Sequence, residues 1–328
     1  MKALVIGGTG IIGNHVVRCL LKRGIDVRIF SRGKTPSKNL EDLKIEIFQG
    51  DLMDENSLHK AVKGCEWVFH TAAYYPKSAF GFKEHLRQAL GGINTVLKVI
   101  AQNPVERFVF TSSLTTIGKP AYYGVEATEK DAYNFKTHPH PYFACKIAME
   151  NRVLEEAKKG MPAIVVNPTG GFGPYEMKEP RLCLIPQLVK RKIPAVIPGF
   201  INVVDMADVA TGHVLAALKG RIGERYILGG QNTTVQDLMK LICEVANVPP
   251  PRFTFPLPLT IAVAGSTEWL FHYLFNKTSP FSLLAIRFVQ YAQNLSSAKA
   301  IEELGYHWSP MKPCLQRALE WFRFIGYC

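Results

Sequence analysis

Short apolar runs of β type alternate with segments of helical period through the first half of the chain, and that alternation narrows the fold more than any other feature. The runs are ALVI, DVRIF, KIEIF, EWVFH, RFVFT and AIVVN, and helical patterns lie between them at residues 11–22, 57–63, 86–101 and 142–159. Strands that are apolar throughout are buried on both faces, and the intervening helices supply the cover. The expected fold class is α/β, a doubly wound parallel sheet. After Asn167 the pattern loosens into NPTGGFGP and IPAVIPGF, then a strand and helix return at INVVDMADVATGHVLAAL. The last hundred residues read as a smaller, mostly helical lobe, with helices at 235–245, capped by Thr233 or Thr234, and at 297–304.

The first strand runs into GGTGIIG, where Gly7, Gly10 and Gly13 stand three apart before a helix. A tight turn and close backbone approach at such a site let helix N-terminal N–H groups meet a pyrophosphate. The expected cofactor loop is Gly7, Thr9, Gly10, Ile11, Ile12 and Gly13. An NAD site carries an acidic residue about 20 residues further on, for the ribose hydroxyl. Here the second strand ends in IFSRGKT: Ser31 takes the acidic position, Arg32 follows and Lys34 is near. A guanidinium suits a 2′-phosphate, so NADP is favoured over NAD, which stays as the alternative. Asp51, with Leu52, follows the third strand and can accept from an adenine amino group or cap the next helix. Thr71, Ala72 and Ala73, in FHTAA, end the fourth strand with small side chains that let a ring or ribose approach. His70 there reads as a hydrogen-bonded core histidine.

Ser113, Tyr142 and Lys146 are the candidate catalytic residues. Tyr142 and Lys146 are four apart and share a helix face. A nearby ammonium lowers a phenol's pKa and makes it a usable acid and base. Ser113 follows the fifth strand, at the edge where open α/β sheets bind ligands, and its hydroxyl can hold a substrate oxygen.

With these motifs in their order, the chain resembles the extended short-chain dehydrogenase/reductase family over essentially its whole length: GGTGIIG, GDLMD, FTSS, YFACK, NPTGGFGP and VVDMADVATGH. VVNPTGGFGP and GRIGERYILGGQNTT resemble the branch of dihydroflavonol 4-reductase-like proteins and hopanoid-associated sugar epimerases. The resemblance implies that Ser113 orients the substrate, Tyr142 transfers the proton, and Lys146 binds the nicotinamide ribose while tuning the tyrosine. It also implies that Pro168 and the small residues after it, Gly170 among them, border the nicotinamide. Three positions depart from the family pattern: Gln88 for Asn, Cys145 for Ser, and Ser31 for the acid of NAD sites. A homodimer through the helices at 86–101 and 142–159 is the family's expectation.

The expected organisation is a dinucleotide-binding domain over residues 1–167, with 201–228 returning to it, and a substrate-binding lobe over 168–328, interleaved with the first. The leading reading is an NADP-dependent oxidoreductase acting on a carbonyl or hydroxyl of an apolar or aromatic small molecule. The alternatives are a nucleotide-sugar epimerase or dehydratase that recycles NAD, and a non-catalytic NADP-binding sensor, against which the intact Ser113, Tyr142 and Lys146 count.

Charge and cysteine content limit the partners. Lysine and arginine total 39 against 27 acidic residues, an excess of 12, yet the densest basic run, LVKRKIP, holds only three cations, so nucleic acid is not expected. The seven cysteines are scattered without C-x-x-C spacing, which reads as reduced thiols and no zinc. HPHPY supplies two histidines, too few for a metal site, so no metal is expected. Met1 stands directly before the first strand, and a cytoplasmic protein without a leader is the expectation. Residues 253–275 are apolar but broken by Pro256, Pro258, Gly265 and Glu268, so no integral span is expected. A buried helix is the first reading there, a pocket wall with Trp269, Phe271, Tyr273 and Phe275 the second, and peripheral contact with a bilayer the third.

Overall fold

The computed structural model describes residues 1–33, 38–76, 78–122, 124–135, 138–275, 277, 279 and 281–328; Lys34 lies outside them. Strands β1 (Lys2–Ile6), β2 (Asp26–Ser31), β3 (Glu46–Gln49), β4 (Trp67–His70), β5 (Arg107–Thr111) and β6 (Ala163–Pro168) are interleaved with helices α1 (Ile11–Lys22), α2 (Glu55–Val62), α3 (Phe82–Ala101) and α4 (Pro141–Lys158). There follow β7 (Gly170–Phe172), α5 (Leu184–Val189), β8 (Ala195–Val196), β9 (Phe200–Asp205), α6 (Met206–Lys219), β10 (Arg225–Leu228), β11 (Gln231–Thr234) and α7 (Val235–Ala246). The chain closes with β12 (Phe253–Thr254), α8 (Leu257–Tyr273), α9 (Leu283–Gln290), α10 (Ala298–Leu304) and α11 (Met311–Phe324).

Seven strands form one sheet in the order β10, β6, β5, β4, β1, β2, β3, with every pairing parallel. The winding reverses between β1 and β4, which opens a crevice at the strands' carboxyl ends. Every residue of β4 and β6 is buried, as continuous apolar strands between two helical layers require. One layer packs α1 and α6 onto the sheet through Val16, Leu20, Val209 and Val214. The other packs α2, α3 and α4 through Leu58, Ile93, Val96, Met149 and Val153. A third core, with Leu188, Leu238, Ile242, Leu315 and Phe322, joins α5, α7 and α11 in the C-terminal lobe.

Several details depart from the sequence reading. β9 pairs in a small sheet of order β11, β9, β7, whereas β10 joins the edge of the main sheet. α3 starts a turn early, at Phe82, because Gly81 adopts φ 77° and admits the helix there. The apolar 253–275 stretch is not a buried helix. In α8 only Ala264 and Glu268 are buried, while Trp269, Tyr273 and Phe275 are 52%, 58% and 55% exposed. Among the described residues its inner side packs on a small cluster of Ala79, Ile197, Leu283 and Ile286, with Phe80 against His272 and Tyr273, too little to cover a whole helix. Among the described residues no helix is long and apolar enough to cross a membrane. All seven cysteines are free.

Candidate active site

The glycine loop is built by exclusion of side chains. Gly7 turns at φ 89°, and a Cβ there would lie 2.7 Å from the Ala72 nitrogen. A Cβ on Gly13 would lie 2.3 Å from the Gly7 carbonyl oxygen and 2.6 Å from Thr71 Oγ1. The loop, the start of α1 and the end of β4 therefore close on one another only because these positions are bare. Gly10 is the N-cap of α1 and no side chain caps it, which leaves the first-turn N–H groups of Ile11, Ile12 and Gly13 for an anion. Asn39, which the sequence reading passed over, braces the loop: its Nδ2 donates to Thr9 O at 3.1 Å and to Tyr175 O at 2.8 Å.

At the end of β2, the Ser31 hydroxyl accepts from Gly33 N at 3.3 Å. Arg32 is exposed, and its guanidinium has no partner among the described residues. Asp51 accepts from Met53 N at 2.8 Å. The cap of α2 is Asp54, which accepts from Asn56 N, so the capping role weighed for Asp51 belongs three residues later. Leu52 and Ala72 pack against the sheet's second core.

Tyr142, Lys146 and Glu150 follow one another at four-residue steps on α4, all on its buried face at 4%, 2% and 2% exposure. His140 sets the helix start: its Nδ1 accepts from Tyr142 N at 3.2 Å, and Pro141 fills the first helical position. The Tyr142 ring stacks on Tyr75 at 5.1 Å and meets the edge of Phe288 at 5.5 Å. Burial, and then the neighbouring Tyr75, push the phenol well above its usual range, while the hydrogen bond with Ser113 pulls the other way. The phenol therefore stays protonated at neutral pH. The sequence reading expected Lys146 to lower that pKa. Instead the Lys146 Nζ donates to Thr111 O at 3.0 Å, and burial brings its own pKa down to about 8, against the pull of Glu150.

Ser113 accepts from Thr115 N at 3.2 Å. Its carbonyl is gripped by Thr116 Oγ1 at 3.0 Å and Asn167 Nδ2 at 3.2 Å. Both donors also reach Glu150 Oε2, each at 2.7 Å, and Arg225 Nη1 donates to Glu150 Oε1 at 2.9 Å. This network was missed, although Glu150 sits a further four residues along the face that carries Tyr142 and Lys146. Thr111 Oγ1 bonds His213 Nε2 at 2.9 Å, and His213 Nδ1 bonds Val209 O at 2.8 Å, which ties β5 to α6.

The carboxyl edge of the sheet holds buried polar atoms without hydrogen-bond partners among the described residues: both ring nitrogens of His70, Ser112 Oγ, Asn167 Oδ1 and Thr169 Oγ1. His70 is thus in the core but not hydrogen-bonded, and burial lowers its pKa to about 4. Unpaired polar atoms are costly in a protein interior. Their alignment beside the bare glycine loop fits a polar, anionic dinucleotide lying across the strand ends. Pro168 ends β6, and a Cβ on Gly170 would lie 2.9 Å from Asn202 O.

Comparison with known proteins finds relatives along the whole chain. The model of the NAD dependent epimerase/dehydratase family matches residues 3–229. A protein named "Putative dihydroflavonol 4-reductase", from Synechocystis sp., is 31% identical, over 98% of this chain and 95% of that one. Sterol demethylase protein B of Methylococcus capsulatus is 30% identical, over 99% of each chain. Among solved structures, a nucleoside-diphosphate-sugar epimerase from Pseudomonas aeruginosa has a TM-score of 0.81 at 26% identity, covering 100% of this chain and 99% of that one.

Proposed function

The chain belongs to the NAD dependent epimerase/dehydratase family, and from that premise we propose an NADP-dependent reductase of a carbonyl on an apolar or aromatic small molecule, working in either direction. At the coarser level it is an NAD(P)-dependent oxidoreductase of the extended short-chain dehydrogenase/reductase type. The observation that carries the reading is Tyr142: a buried, protonated phenol beside Ser113 and walled by Tyr75, Phe143 and Phe288. Such a phenol can give a proton to a developing alkoxide, and its aromatic walls favour an apolar substrate over a charged one. The names of the dihydroflavonol and sterol relatives support the same substrate class.

The residues that would hold the dinucleotide are Gly7, Thr9, Gly10, Ile11, Ile12 and Gly13 at the pyrophosphate, with Asp51 and Leu52 at the adenine. Arg32 would read the 2′-phosphate, Thr71, Ala72 and Ala73 would face a ribose, and Pro168 and Gly170 would border the nicotinamide. When bound, the nicotinamide supplies or accepts a hydride. Ser113 holds the substrate oxygen, Tyr142 donates the proton in reduction, and Lys146, as an ammonium beside Thr111 O, orients the ribose. The proposal includes a cytoplasmic homodimer paired through α3 and α4.

Titration of the cofactor-stripped protein with NADPH and NADH, followed by nicotinamide fluorescence, tests the cofactor. Arg32→Ala should weaken NADPH by about tenfold or more while sparing NADH. Equal affinity, or NAD that copurifies, would move the nucleotide-sugar epimerase reading to the front. Turnover of aromatic ketones should disappear in Tyr142→Phe with NADPH binding intact; turnover that persists refutes the assignment.

A further inference from the structure

We propose that α8 seats this protein on an anionic lipid bilayer. A surface helix of a globular protein turns its apolar stripe inward, and α8 does the reverse. Its exposed face carries Leu259, Ala262, Val263, Ser266, Trp269, Leu270 and Tyr273 at helical spacing, followed by Leu274 and Phe275. The helix contains one charged side chain, Glu268, and that one is buried, accepting from Ala79 N at 2.6 Å. The outward surface of this helix is therefore without charge. Phe253 and Phe255 at the approach to α8 are 67% and 45% exposed, and Phe281 beyond it is 55% exposed. Aromatic side chains at the ends of an apolar surface suit the boundary between headgroups and acyl chains.

Charge identifies the occupant. Phe253 and Thr254, in β12, pair with Ala195 and Val196, in β8. The pairing is parallel, so the run Lys190, Arg191 and Lys192, all exposed, lies on the side of β8 where the chain enters β12, beside Arg252 and Phe253 at the approach to α8. Arg252 and Lys277 are exposed at either end of the helix. None of these five cations has a carboxylate partner among the described residues. An uncharged apolar face framed by unpaired cations complements an anionic headgroup layer over hydrocarbon. A second copy docked on this face about a two-fold axis would set the same cations against one another. The inference concerns attachment alone and stands whether or not the carbonyl-reductase reading holds.

The test uses the full chain with vesicles of phosphatidylcholine alone and of phosphatidylcholine with about a third phosphatidylserine. Co-sedimentation is expected with the anionic vesicles, weakening as salt rises. Replacing Lys190, Arg191 and Lys192 together with Gln should weaken binding by about fivefold per cation, on the order of a hundredfold in all. Brominated lipid should quench tryptophan emission, and Trp269→Phe should remove that quenching. The pair Leu259→Ser and Trp269→Ser changes exposed positions, so far-UV circular dichroism should be unchanged while vesicle binding is lost. Absence of binding to anionic vesicles, or binding that these variants leave intact, overturns the proposal. So does light scattering that shows a dimer dissolved by the serine pair without any vesicle binding, which assigns the face to a second copy.

Discussion

Lys146 holds its charge between two opposing influences. Burial brings its pKa from 10.5 down to about 8, and Glu150, one helical turn on, works to keep it charged. Because the folded pKa lies below the ordinary value, the ammonium is present below about pH 8 and lost as the pH rises through it. Activity that needs this ammonium should therefore fall on the alkaline side. Glu150→Gln keeps the shape and most hydrogen bonds of the network but removes the charge, so the alkaline limb of kcat against pH should move to lower pH. A limb that stays in place with a uniformly lower kcat would mean that Glu150 only supports the fold. At this scale the sequence was half legible. Spacing put Tyr142 and Lys146 on one helix face, and the glycine loop and Ser113 singled them out, but Tyr75 and Phe288 reach the phenol from 67 and 146 residues away, distances that no local pattern encodes.

Helix α1 and its glycine loop were readable because the constraint is local: a strand, three bare positions and a helix. The contact distances at Gly7 and Gly13 explain why side chains are forbidden there. Gly13→Ala would drive a methyl group into the Gly7 carbonyl, and a cost of about 1–3 kcal/mol in urea unfolding is expected, with at least tenfold weaker dinucleotide binding. Unchanged affinity would show that the loop does not meet the cofactor. Helix α8 was misjudged for the opposite reason. Its residues are apolar on nearly every side, so composition reads as burial, and only the folded arrangement reveals that a single narrow face finds partners. Helix α4 lies between these cases: its Pro and its period were visible, while the role of His140 as a cap was not, because histidine is an uncommon N-cap.

Across the whole molecule, four histidines are folded in their neutral form. Burial is the leading cause at His15, His70, His140 and His213, and it lowers each to about 4. Between about pH 6.5 and pH 4 the unfolded chain binds protons that the folded one refuses, so stability present at neutral pH is lost as the pH falls through that window. Each group represents on the order of 3 kcal/mol at the acid end. The urea midpoint should drop steeply from pH 7 to pH 5; a flat midpoint would mean that these rings gain protons without unfolding. The doubly wound class was legible from alternation, because parallel strands buried on both faces leave a plain apolar signature. The sheet's far edge was less so, since β10 arrives after β7, β8 and β9 have built a different region.

That late arrival bears on how the protein is made. Glu150 is buried on a helix complete by Lys158, yet the Arg225 that neutralises it lies 75 residues further along the chain. A buried carboxylate without its partner is strongly unfavourable. While the chain is being synthesised from its N-terminus, the first six strands and α4 emerge before β10, and until β10 docks Glu150 has Thr116 and Asn167 as partners but not the Arg225 guanidinium. Ser113 is held by Thr116 and Asn167, both in that earlier part of the chain. The charge balance of the buried Glu150 is thus completed late, by a residue from a nearly finished chain.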